Sequence, residues 1–317
     1  MKKLNCVFMG TPDFSVKTLK ALISHPQINI LKVVTMPDRK SGRGKKLQAP
    51  PVAQFALDHD LPLLQTENIN KETVFLEEEN IDLIIVIAFA QFLNSKVLSL
   101  PKIGCFNIHT SILPKYRGAA PIQHAILNGD SLTGVTIQRM VKQMDAGDIG
   151  HLKKCPIDKN ETCGSLFKKL EVLCGKEVFC FIDNLCNDNI AWVSQNEDDA
   201  TFAPSLKKKD GLIDAFSLDA VAIERKVRAF SPWPGTYCFI NNTRIKVLTC
   251  ELSSLTLIPG NISTVQGTLI LGTKNGSLRL TTIQLAGKKY CDDQQYINGL
   301  KSSNKSLDLT YTTEETL

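Results

Sequence analysis

The chain has 317 residues, 43% hydrophobic and 22% charged, with a formal net charge of +5. That length exceeds what one hydrophobic core usually organises, so two domains are expected, and the composition argues against global disorder. A charge this small does not establish a nucleic-acid partner, and no apolar run approaches the ~20 residues that a membrane-crossing helix needs.

From residue 4 onward, apolar β-rich runs alternate with helix-like stretches. The runs are LNCVFM, INILKVVT, LPLLQ, IDLIIVIAF and GCFNIH, with candidate helices at Ser15 to Ser24, Pro51 to His59 and Lys71 to Glu79. Thr11-Pro12-Asp13 reads as the cap and opening turn of the first helix. This alternation through residue 150 calls for a parallel sheet covered on both faces, with ligands bound beyond the carboxyl ends of its strands. Gly10, Ala88 to Phe92 and Asn107 to His109 all fall at such ends. The Gly10 turn lacks Gly-x-Gly-x-x-Gly, so a dinucleotide site is a poor reading. Between the second and third runs, residues 36 to 47 carry Arg39, Lys40, Arg43, Lys45 and Lys46 against Asp38, with Gly42 and Gly44 flanking Arg43. Such a loop reads either as a solvated basic excursion or, with its two glycines, as a mobile finger that orders on RNA.

In the GCFNIH strand, side chains two apart share a face, so Asn107 and His109 project together while Ile108 enters the core. The stretch TGVTIQRMVKQMDAGDIG, residues 133 to 150, again runs from a β-like segment into a loop and delivers Asp145. Amide, imidazole and carboxylate together suit transfer at a carbonyl: donors for an oxyanion, a proton shuttle and a group to orient it. Asp148 is a competing carboxylate and reads as a turn residue. His25, His59, His124 and His151 read as structural, with His124 close enough to the motif to line the cleft. Gly118-Ala119-Ala120-Pro121 opens a helix with small residues, which lets backbone approach a ligand, and places Lys115 and Arg117 near substrate.

A helical segment from Glu161 to about Asn187 closes the first domain, residues 1–189. Its Cys174, Cys180 and Cys186 lie six apart, so successive members are turned about 240° and cannot converge on one ion. With no Cys-x-x-Cys pair and no leader-like opening, the 10 cysteines read as reduced packing residues in a cytoplasmic protein. Residues 190–205 read as a linker. A second domain, 206–317, opens with Lys207-Lys208-Lys209, continues with an amphipathic helix at Leu218 to Phe230, and then holds short β runs that suggest a small barrel. It carries 14 Lys and Arg against 10 Asp and Glu. Trp233, between Pro232 and Pro234, reads as a packing anchor, and the chain after about Ser302 as a polar, mobile tail.

VFMGTPDF, VVTMPDRKSGRGKKL, the Asn-x-His motif with its distant Asp, AFSPWPGTY and LAGKKY together resemble the methionyl-tRNA formyltransferases, nearly end to end. Asn-x-His and Asp alone are shared with other formyltetrahydrofolate enzymes; the RGKKL loop and the later motifs favour the tRNA group. Met36, Ala53, Ala90 and Ala146 depart from the residues usual in that family, and Ala90 sets a Cβ where backbone approaches the folate. The resemblance implies a Rossmann-like α/β domain followed by an OB-like β-barrel. It implies formyl transfer from 10-formyltetrahydrofolate to the α-amine of methionine on initiator tRNA, with Asn107, His109 and Asp145 catalytic. Folate is expected against Ile87, Ala88, Phe89, Ala90 and Phe92, with Ser111, Leu113 and Pro114 in the following loop. Initiator tRNA is expected on Arg39, Arg43, Lys45, Lys46, Lys207 and Lys208. Neither a metal nor a membrane is expected to take part, and a monomer is. The alternatives are a related enzyme acting on a small amine or on water, and a non-catalytic tRNA-binding protein.

Overall fold

The computed structural model describes residues 3–41, 44, 46–72, 77 and 80–313. It divides into two compact units, one running up to Pro121 with Leu132–Pro156 and Phe167–Pro204, the other holding Ile122–Ser131, Ile157–Leu166 and Ser205 onward.

The first unit is built on β1 (Leu4–Gly10), β2 (Ile28–Thr35), β5 (Leu63–Gln65), β6 (Leu83–Ile87), β7 (Gly104–His109), β8 (Leu132–Arg139) and β9 (Ile149–Pro156), in the order β5-β2-β1-β6-β7-β8-β9. The first five run parallel, and β8 and β9 complete the sheet antiparallel. Cys6 to Met9 and Leu83 to Ile85 are fully buried, which is why those strands read as unbroken apolar runs rather than alternating ones. Each such Leu, Ile or Phe contributes roughly 1.5–3 kcal/mol. Helices α1 (Val16–Ser24) and α2 (Pro51–Asp58) match the sequence reading within a residue. Thr11 does not cap α1; its hydroxyl donates to the Phe89 carbonyl at 3.4 Å. Most of the helix expected at Lys71 to Glu79 lies outside the described residues. The basic segment forms an antiparallel pair, β3 (Arg39–Ser41) and β4 (Lys46–Gln48).

Strand order reverses between β1 and β6, so their carboxyl ends diverge into a crevice. Gly10 stands at that point because a Cβ there would lie 2.9 Å from the Ser15 Cβ and 3.0 Å from the Ile87 carbonyl. Helices α3 (Ser95–Leu98) and α4 (Pro121–Leu127) follow β6 and β7, and α5 spans Cys163–Cys186. The stretch read as a linker joins the first unit as far as Pro204. Ile149 and Val193 exchange backbone hydrogen bonds of 2.8 and 3.0 Å, and Trp192 stacks on Phe106 with the Arg139 guanidinium 4.7 Å above its ring. Trp192 is therefore the packed tryptophan, and Trp233, half exposed, is not the anchor its flanking prolines suggested.

The second unit holds α6 (Ala220–Ala229), β10 (Thr236–Ile240), β11 (Thr243–Ser253), β12 (Ile262–Ser263), β13 (Ile270–Gly272), β14 (Ser277–Leu285), β15 (Tyr290–Asp292), α7 (Asp293–Ser302) and β16 (Tyr311–Thr312). Its antiparallel order is β12-β13-β14-β11-β10-β16, and a bridge between Asn261 and Thr310 joins the two ends into a nearly closed, OB-like barrel. Ala220, Ile223 and Val227 form the buried stripe of α6, whose N-terminus is capped by the Asp219 carboxylate accepting from the Ala222 N–H at 2.7 Å. Such a cap contributes about 1 kcal/mol. The residues after Ser302 that are described end in β16, whose Tyr311 hydroxyl donates to the Ile213 carbonyl at 2.6 Å. Residues 314–317, with the acidic pair, lie outside the described residues.

All ten cysteines are free thiols, six of them buried. Burial pushes the thiols of Cys6, Cys105 and Cys238 up to about 12, so almost no thiolate exists there at neutral pH. A disulfide-exchange reagent at mildly alkaline pH is expected to label the native protein slowly, at Cys180, Cys186 and Cys291 first. Cys6, Cys105 and Cys238 should appear only after denaturation; rapid native labelling of these three, read by peptide mass, would contradict this packing.

Candidate active site

Asn107 and His109 leave the carboxyl end of β7 on one face, and the loop between β8 and β9 brings Asp145 to them. The Asn107 amide donates to Asp145 Oδ1 at 3.1 Å. The same oxygen accepts from the Gln138 amide at 2.9 Å, and Oδ2 accepts from the Gly118 backbone N–H at 2.9 Å. Asp145 holds a left-handed backbone, φ 53°, which non-glycine residues seldom adopt and which the surrounding bonds must maintain.

His109 is almost fully buried, and its Nε2 is 2.8 Å from the Tyr116 carbonyl. A carbonyl can only accept, so Nε2 carries a hydrogen and Nδ1 is the nitrogen free for chemistry. Nδ1 lies 3.7 Å from Asp145 Oδ2, too far for a direct hydrogen bond. One N–H of the Asn107 amide is spent on Asp145, which leaves the second.

These groups line a cavity of about 570 Å³. The end of β6 and the turn after it line the same cavity, with Ile87, Ala88, Phe89, Ala90 and Phe92 all contributing. Gln91 pins that turn, accepting from the Ile69 N–H and donating to the Thr66 carbonyl, both at 2.7 Å. Val141, Met144 and Phe92 are exposed apolar side chains at the rim. A largely apolar chamber suits a flat heteroaromatic ligand, and the amide, imidazole and carboxylate among its lining groups suit transfer of an acyl group.

A formyl transferase family model matches residues 2–178, and a formyl transferase C-terminal domain model matches 205–301. The chain is 41% identical to the methionyl-tRNA formyltransferase of Thermotoga maritima over 291 residues, covering 90% of this chain and 92% of that one. It is 38% identical to the methionyl-tRNA formyltransferase of Geobacter metallireducens, covering 95% and 97%. The chain belongs to the methionyl-tRNA formyltransferase family. The fold recurs in an N-formyltransferase from Helicobacter canadensis, at TM-score 0.65 and 18% identity over 88% of this chain and 99% of that one. It recurs also in HypX from Aquifex aeolicus, at TM-score 0.60 and 15% identity, where 98% of this chain spans 51% of the longer one.

Among the residues expected to hold folate, Ser111, Leu113 and Pro114 are not part of the cavity lining. Ser111 and Leu113 turn inward, with the Ser111 hydroxyl donating to the Lys115 carbonyl at 2.6 Å, and support the loop rather than the chamber. Arg117 is likewise not available to substrate: it is 1% exposed and paired with Glu197 at 2.8 Å. Among the family departures, Ala146 lines the cavity and Ala53 is fully buried in α2. Asp148 serves its turn, accepting from the Ser194 hydroxyl and the Arg139 N–H. His25, His59 and His151 contact Asp183, the Phe55 carbonyl and Glu177 away from the cavity, and His124 does not line it. Arg39 pairs with Glu67 at 2.7 Å across solvent, and Lys46, Lys207 and Lys208 are exposed. Arg43 and Lys45 lie outside the described residues. Gln138 and Gln195, which the sequence reading missed, have no motif of their own; only their spatial neighbours mark them.

Ala90 has φ 65°. The left-handed region costs a residue with a Cβ about 1–2 kcal/mol, whereas glycine loses roughly 0.5–1 kcal/mol of chain entropy. Ala90→Gly is therefore expected to raise the melting temperature, by about 1–3 °C; a lower melting temperature would show that the turn is not strained.

Proposed function

We propose that this chain transfers the formyl group of 10-formyltetrahydrofolate to the α-amine of methionine on initiator tRNA, in the cytoplasm. The observation that carries the reading is the convergence of Asn107, His109 and Asp145 on one cavity, in a chain so similar to enzymes of that name. The folate ring system is assigned to the lining at 87–92 and its formyl carbon to the neighbourhood of Asn107 and His109. Attack by the amine on that carbon generates an oxyanion, which the second Asn107 N–H and a protonated His109 Nδ1 stabilise. His109 then returns its proton to the folate nitrogen that departs, and Asp145 helps remove the surplus proton from the amine through water. No step of this scheme calls on a metal.

Transfer RNA is assigned to two surfaces. In the first unit the exposed basic pair of strands offers Arg39 and Lys46, and the same sequence segment carries Arg43 and Lys45; in the second, Lys207 and Lys208 are exposed ahead of the barrel strands. The Arg39–Glu67 bridge, exposed on both sides, holds Arg39 with no more than about 1 kcal/mol, so phosphate can displace it.

The test is transfer of labelled formyl from 10-formyltetrahydrofolate to charged initiator tRNA, compared with a nucleotide-sugar amine. Transfer to the tRNA alone is expected; transfer only to the sugar amine would move the chain to the small-amine reading. In that assay His109→Ala and Asn107→Ala should each reduce turnover about 100- to 1000-fold, with folate affinity retained. Folded His109→Ala with wild-type turnover would remove the imidazole from the chemistry.

Lys46→Ala and Lys207→Ala should each weaken tRNA binding and lower the slope of log affinity against log salt by about 0.9 for every phosphate that is no longer neutralised. Unchanged slopes would return both lysines to the solvated surface.

A further inference from the structure

Arg117 leads the largest fully buried side chains, yet it does not line the cavity. A buried guanidinium needs acceptors, and it finds two. Its Nη1 and Nη2 donate to the Glu197 carboxylate at 2.9 and 2.8 Å, while Nε and Nη2 donate to Gln195 Oε1 at 3.1 and 2.9 Å.

That contact settles which way the Gln195 amide faces, since its oxygen must point at the cation. The two hydrogens on its nitrogen then serve the Asp145 carbonyl at 2.9 Å, the Gly147 carbonyl at 2.8 Å and Gln138 Oε1 at 3.1 Å, one of them shared between two acceptors. With its oxygen engaged, Gln138 must present its own NH2 group to Asp145 Oδ1. A reversed Gln138 would set an amide oxygen against a carboxylate oxygen. The chain of bonds runs from Glu197 through Arg117, Gln195 and Gln138 to the group that orients Asn107, and every amide along it has one acceptable orientation.

We infer that Gln195 is a positioning residue for formyl transfer, holding the left-handed Asp145 loop and the Gln138 amide in the arrangement that presents N–H groups to the Asp145 carboxylate. This rests on the catalytic reading of Asp145 given above. Gln195 comes from the segment between the two sequence-matched domains, so that segment is part of the catalytic apparatus and not a passive tether.

Gln195→Met keeps side-chain volume and removes the amide. Single-turnover formyl transfer at saturating substrates should fall roughly 10- to 100-fold, the cost of a small misplacement of a reacting group, while the KM for tRNA and the affinity for folate stay unchanged. In an Asp145→Asn background the same substitution should add little, because residues acting as one unit are non-additive. A purely structural role would instead lower both backgrounds by the same factor. Wild-type turnover in folded Gln195→Met, equal factors in both backgrounds, or a loss confined to KM would each overturn the inference. If circular dichroism shows Gln195→Met unfolded, Gln138→Met in the same cycle decides, with additive losses overturning the link. Asp145→Asn with normal turnover would instead remove the catalytic reading itself, whereas an impaired Asp145→Asn with unimpaired Gln195→Met overturns the positioning role alone.

Discussion

The arrangement of the cavity groups depends on two acceptors that decide where hydrogens point: the Asp145 carboxylate and the Tyr116 carbonyl. An amide and an imidazole at a strand end are versatile groups, each able to present a donor or an acceptor to substrate. The carboxylate consumes one N–H of Asn107 at 3.1 Å, and the carbonyl consumes Nε2 of His109 at 2.8 Å. What remains for the cavity is one amide N–H and one ring nitrogen, a pair suited to an oxyanion and a proton transfer. Both acceptors sit on left-handed residues, Asp145 and Tyr116 at φ 53° and 62°. Such conformations persist only where neighbouring bonds over-determine them, and here those bonds come from Gly118, Gln138, Gln195 and Thr201.

The sheet supplies the other constraint. Because β1 and β6 are neighbours at the reversal of strand order, Gly10, the turn after β6 and the end of β7 open on the same side. The antiparallel pair β8–β9 then extends the sheet beyond β7, and its connecting loop returns Asp145 to the strand ends. A parallel continuation would have needed a helix crossover there and would not have placed a short loop over β7.

Much of this was legible in the sequence, for physical reasons that differ by element. The buried parallel strands announced themselves because burial on both faces demands continuous apolar runs, and the period-two placement of Asn107 and His109 followed from the strand alone. β9 was not legible: IGHLKKCP exposes Leu152, Lys153 and Lys154 and shows no clean alternation. Helix α7 was overlooked although Asp292 and Gln295 form a capping box, a signal present in the sequence. Arg117 read as a substrate-facing charge, since nothing local reveals that Gln195 and Glu197, some eighty residues on, close over it. The segment 190–205 looked like a linker because its residues up to Pro204 bond largely to distant partners and therefore carry no period.

The most direct measurement of the central claim is nitrogen-15 NMR of the His109 ring, recorded on the neutral imidazole. The structure predicts a hydrogen on Nε2, held by the Tyr116 carbonyl at 2.8 Å, and a bare Nδ1. A hydrogen found on Nδ1 in the wild-type protein would mean that the free nitrogen faces away from the cavity, and the proposed proton transfer through His109 Nδ1 would fall.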